Sequence, residues 1–138
     1  MKITKQSLII IFFLALVSSK VFAQKFPDLI SSTITVPFFH IQKGKDVETR
    51  KGNVEISLEP SGSKLNRVRI QVQGVPELYY TILQETSKKT DGDLVIVEYN
   101  ALMSGKPPAL KLSLFIYNRA LKAVSIDNKS SIWIFSSK

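Results

Sequence analysis

From residue 30 onward, apolar and polar positions trade places with a period of two. Ile30, Ser32, Ile34, Val36 and Phe38 fall on one face of a first segment, with Ser31, Thr33 and Thr35 opposite. Val54, Ile56 and Leu58 alternate with Glu55, Ser57 and Glu59. Val68, Ile70 and Val72 alternate with Arg67, Arg69, Gln71 and Gln73, and Leu110, Leu112, Leu114 and Ile116 with Lys111 and Ser113. A strand turns successive side chains to opposite faces, so this spacing predicts strands buried on one side. Residues 78–84 and 94–99 are apolar on both faces and read as central or doubly covered strands. Residues 121–126 and 132–135 bring the total to about eight strands.

Turn residues punctuate these segments. Lys43-Gly44-Lys45-Asp46 and Lys51-Gly52-Asn53 bracket a polar loop, Pro60-Ser61-Gly62-Ser63 ends the next strand, and Gly74-Val75-Pro76 breaks the chain again. Asp91-Gly92 is a hairpin pair, and Gly105-Lys106-Pro107-Pro108 and Asp127-Asn128-Lys129-Ser130 complete the set. Residues 100–109 form the one long irregular connection. Short strands with regular turns between them predict an all-β, antiparallel fold. Mixed loop lengths and two segments apolar on both faces favour two packed sheets, an immunoglobulin-like β-sandwich of seven or eight strands. A small closed β-barrel is the alternative.

The first 23 residues have a different pattern. Lys2 and Lys5 precede an unbroken apolar run over residues 8–17, and Val21 and Ala23 supply a small-residue cleavage site. This is the layout of a secretory signal peptide, with cleavage between Ala23 and Gln24. A run of that length falls short of the ~20 residues needed to span a bilayer. No cysteine follows it to carry a lipid anchor. The expected organisation is therefore a signal peptide over 1–23 and a single domain over 24–138, destined for the periplasm, the cell surface or the medium. Contact with the membrane is expected only through the signal peptide before cleavage.

Composition narrows the chemistry. The 138 residues carry 19 Lys and Arg against 11 Asp and Glu, a formal charge of +8, with one His and no Cys. Loss of residues 1–23 removes Lys2, Lys5 and Lys20, leaving 16 basic against 11 acidic residues and a net charge of +5. Without cysteine there is no disulfide, thiolate nucleophile or Cys-based zinc site. One His excludes a multi-His metal site within the chain. His40, at the end of the first strand, reads as an imidazole with a local hydrogen bond or in solvent. No G-x-S-x-G elbow, P-loop or G-x-G-x-x-G run is present. Asp91 and Asp93 flank Gly92 as turn residues, too few to hold calcium. Glu55 and Glu59 fall on the same outward parity as Arg67 and Arg69, so pairing of their strands implies cross-strand ion pairs. Lys43, Lys45, Arg50 and Lys51 cluster in one loop and Lys88 and Lys89 in another. Neither cluster interleaves the aromatics that single-stranded nucleic acid requires. No enzymatic activity, cofactor, metal or nucleic-acid partner is expected.

Three segments resemble a known family. Gly52-Asn53-Val54-Glu55-Ile56, then Val68-Arg69-Ile70-Gln71-Val72-Gln73-Gly74, then Val75-Pro76-Glu77-Leu78-Tyr79-Tyr80-Thr81-Ile82 are similar in order to strand starts and ends in a family of small secreted bacterial β-sandwich domains of unknown function, regarded as pilin-like or surface-associated. The resemblance covers residues 47–99. It implies a surface role and carries no catalytic residues. The glycine-rich strand pair that usually ends the family is absent, since residues 120–136 contain no glycine.

The functional expectation is a non-catalytic secreted structural or interaction protein, of the pilus-like or surface-assembly kind. Its partners are other envelope or surface proteins, or further copies of itself. The alternative is a periplasmic accessory, chaperone-type or ligand-binding β domain. The candidate assembly edge is the first strand, through Ile30, Ile34, Val36 and Phe38. Pro37 favours an edge because it lacks a backbone donor.

Overall fold

The fold is that of a computed structural model, which describes residues 29, 32–61 and 64–137. Eight strands follow one another: β1 (Thr33–Lys43), β2 (Asp46–Ser61), β3 (Lys64–Val72), β4 (Leu78–Asp91), β5 (Leu94–Met103), β6 (Lys106–Tyr117), β7 (Ala120–Asp127) and β8 (Ile132–Ser136). Each pairs antiparallel with its successor, and β8 returns to β1 to close a barrel. The proposed cleavage site, Ala23 and Gln24, and Ile30 lie outside the described residues.

The all-β antiparallel expectation holds, and the strands form one closed sheet, the alternative arrangement, in place of two packed sheets. The connections explain the difference. Residues 43–53, read as a polar loop, are mostly strand, with β2 starting at Asp46 and pairing with β1 from Lys43↔Asp46 onward. Residues 100–109, read as an irregular connection, are the end of β5, a two-residue turn and the start of β6. Five of the seven connections are only two residues long. A chain with such connections has no crossover to carry it to a second sheet, and an eight-stranded meander whose ends meet closes on itself.

The interior is filled from every strand. Val36, Val54, Ile56, Val68, Ile70, Leu112, Leu114 and Val124 are each fully buried. Ala101, Tyr80 and Tyr99 face inward with them. At the closure, β1 and β8 share only three residue pairs, from His40↔Ile134 to Gln42↔Ile132. Side chains reinforce that short ladder. The Phe39 ring stacks on Trp133 at 5.5 Å and on Phe135 at 5.2 Å.

Pro37 re-aims the first strand. The β1–β2 register shifts between Val36 and Phe38, so Phe39 and Ile41 take the inward positions and Phe38 turns outward. The single-face pattern from Ile30 to Phe38 therefore breaks at the proline, where an extra residue flips the pleat. Val36 is fully buried and Ile34 packs against the core. The β8 side of β1 is laddered only at residues 40–42.

Candidate functional site

An inward position on one strand is paired with inward positions on its neighbours, so the outward residues form rows of their own. Two such regions lie on opposite parts of the barrel wall.

On β2 and β3 the outward residues are charged. Glu59 faces Arg67, and Ser57 faces Arg69. Arg67 Nε donates to Glu59 Oε1 at 2.8 Å, and an Arg69 Nη donates to Glu59 Oε2 at 3.0 Å. Arg69 also pairs with Glu77, and the Arg67 guanidinium lies 5.2 Å from the centre of the Tyr79 ring. The hydrogen bond from Arg67 holds the Glu59 carboxyl below the ordinary glutamate range, and Arg69 adds to the effect. These are the cross-strand pairs that parity implied. Glu55 takes no part, because it faces Gln71.

On β5, β6 and β7 the outward residues near the β4–β5 and β6–β7 turns are apolar, and charge returns further along at Glu98 and Lys111. Ile96 pairs with Phe115, and Phe115 with Ala123; Leu94 pairs with Tyr117, and Tyr117 with Ala120. Their inward neighbours Val97, Leu114, Ile116 and Val124 fill the core. Tyr117 is 49 % exposed, while Leu94, Ile96 and Phe115 are half-buried against one another and stand outside the core cluster. One row further along, Glu98 pairs with Ser113, and Ser113 and Ser125 lead to Ile134 on β8 and His40 on β1. The apolar pairs are bordered by Glu98 in the next row and by Lys89 and Asp91 on β4, which pair with Ile96 and Leu94.

Residues 94–99, apolar on both faces, read as a central or doubly covered strand, and β5 does lie between β4 and β6. In the barrel the second face turns outward. No second layer lies over it among the described residues. Residues 78–84 also differ from that reading, since Leu83 is 52 % exposed. Phe115 and Tyr117 were hidden in the strand that reads most cleanly as half-buried; the signal was an aromatic at each outward position of its last turn-ward residues.

The remaining candidates stay apart. His40 faces outward, its Nδ1 2.8 Å from Thr49 Oγ1 and its ring edge-on to Phe38 at 5.6 Å. Asp91 and Asp93 flank the β4–β5 turn, while Asp46 and Glu48 lie on β2. Arg50 is paired with Glu48 at 2.8 Å within the β1–β2 hairpin. Among the described residues, no three His, Asp or Glu side chains converge on a point that would hold a metal.

No family model, no curated protein and no solved structure matches the chain.

Proposed function

We propose that the protein is a non-catalytic, extracytoplasmic structural protein that assembles with further copies of itself through the outward face of β5, β6 and β7. The observation that carries this reading is the pairing of Ile96 with Phe115 and of Leu94 with Tyr117 on an outer wall with no layer above it among the described residues. Contiguous apolar surface of this kind marks an interaction site on a water-facing protein. Leu94, Ile96, Phe115 and Tyr117 carry no charge themselves, so two copies that each carry a net positive charge can meet through them by apolar contact. A two-fold related pair would bring the same strands together, as in most homodimers. The signal-like residues 1–23 support a location outside the cytoplasm. The interior supports a non-catalytic role, because its inward positions are taken up by packing side chains.

Sedimentation equilibrium on residues 24–138 tests the proposal. The wild type is expected to sediment as a concentration-dependent oligomer. Ile96→Lys with Phe115→Lys is expected to weaken association by about thirtyfold, the effect of losing a central contact of ~2 kcal/mol. Arg67→Ala, on the opposite wall, leaves it unchanged. A wild type that stays monomeric at every concentration contradicts the reading.

A further inference from the structure

A second feature lies away from that face, where β6 outruns its neighbour. The β6–β7 ladder ends at Lys111↔Asp127, so residues 106–110 extend without a partner on the β7 side. On the β5 side, Met103 pairs with Lys106 and Ala101 with Leu110, which leaves Pro107, Pro108 and Ala109 opposite Leu102 alone. The bulge pushes this part of β6 outward. The β7–β8 turn overhangs it. Asn128 Oδ1 accepts from the backbone N–H groups of Ser130 at 3.1 Å and Ser131 at 2.9 Å, and Asp127 Oδ1 accepts from the Lys129 N–H at 2.8 Å. These bonds hold Lys129 at φ +79°, a left-handed conformation unfavourable for lysine.

Between bulge and turn lies a groove of about 450 Å³, within the ~300–1,000 Å³ range of small-molecule sites. Met103, Pro107, Pro108 and Leu110 make its apolar walls, and Lys106 and Lys129 stand on its lining with no carboxylate among the lining residues. Among the described residues neither lysine forms an ion pair. We infer that this groove binds an anionic amphiphile, a compact apolar body with one carboxylate-like head, the body against Met103, the prolines and Leu110 and the head between the two ammonium groups. Charge complementarity selects the head and apolar contact the body. An extended peptide added as a further strand fits less well, because Pro107 and Pro108 remove two of the backbone donors that strand addition uses.

The protein carries its own reporter. Trp133, the single tryptophan, donates from Nε1 to Ser131 Oγ at 3.2 Å, within the same turn that forms the groove wall. Residues 24–138 are titrated with monomeric octanoate, with octanamide as the neutral counterpart, and with vesicles of anionic phospholipid. Tryptophan fluorescence and two-dimensional amide NMR are the readouts. Octanoate is expected to saturate, with amide shifts at residues 103–110 and 128–131, and octanamide to bind about tenfold more weakly. Lys106→Gln with Lys129→Gln is expected to erase that preference while leaving the folded spectrum intact. Equal binding of octanoate and octanamide overturns the inference. Shifts confined to the outward face of β5–β7, or a response to vesicles without one to monomeric octanoate, overturn it as well.

Discussion

The two walls of the barrel are built from the same plan and finished differently. On both, alternate residues fill the interior, and the outward residues pair across strands. Around β2 and β3 those outward pairs join Glu59 to Arg67 and Arg69, a surface suited to water. Around β5 and β6 they join Ile96 to Phe115 and Leu94 to Tyr117. The core therefore constrains only half of each strand. The other half is free to differ between walls, and that is where a barrel with a packed interior can carry function. Screened exposed ion pairs contribute little stability. An apolar outer face contributes little to folding either, until something covers it.

The sharpest contrast is between neighbours on one strand. Leu114→Ala, inward on β6 and fully buried, is expected to cost about 3 kcal/mol of unfolding free energy through lost burial and a cavity. Phe115→Ala, one residue on and outward, is expected to cost about 1 kcal/mol or less when the chain is monomeric. Chemical denaturation at low protein concentration checks both. Equal losses would mean that Phe115 belongs to the core.

The closure seam should be nearly as sensitive as the core. Trp133→Ala removes the stack on Phe39 beside a ladder of three residue pairs. A loss of about 2–3 kcal/mol is expected, with amide exchange accelerated first at residues 40–42 and 132–134.

Alkaline titration separates inside from outside by another route. Burial pushes the Tyr80 phenol up to about 12, and burial together with the Glu85 carboxylate raises Tyr99 further. Each folded-state value lies above the unfolded one of about 10. Their stabilising contribution is thus complete below pH ~10 and declines as pH rises through that value toward the folded ones. Phenolate absorbance should show the Tyr80 and Tyr99 signals appearing only as the barrel opens.

The smallest effect belongs to the charged wall. Glu59→Gln is expected to cost under about 1 kcal/mol at pH 7. The folded carboxyl sits below its unfolded value, so its contribution is present above pH ~4.3 and is lost as pH falls through the depressed folded value. Wild type and variant should converge in acid.

Much of the fold was legible. Period-two alternation located segments of β1, β2, β3 and β6, apolar runs located the other four strands, and the outward parity of Glu59, Arg67 and Arg69 anticipated their pairing. Strand ends were less visible. Residues 46–51 and 85–91 are polar at nearly every position because they extend past the packed barrel, so no alternation marks them. The Asn118-Arg119 turn was missed since both residues take positive φ, 53° and 67°, without a glycine to announce it. Whether eight strands make one closed sheet or two packed ones depends on β8 meeting β1, a contact between chain ends that local pattern does not encode. The outer apolar patch was present in the sequence as a doubly apolar segment, but only the closed barrel shows that its second face points away from the core.

Concentration-dependent amide NMR on residues 24–138 tests the self-assembly face most directly. On dilution, shifts and line widths should change at Leu94, Ile96, Phe115, Tyr117 and Ala123, while Glu59, Arg67 and Arg69 stay fixed. Spectra that do not change with concentration, or changes centred on β2 and β3, would contradict the account.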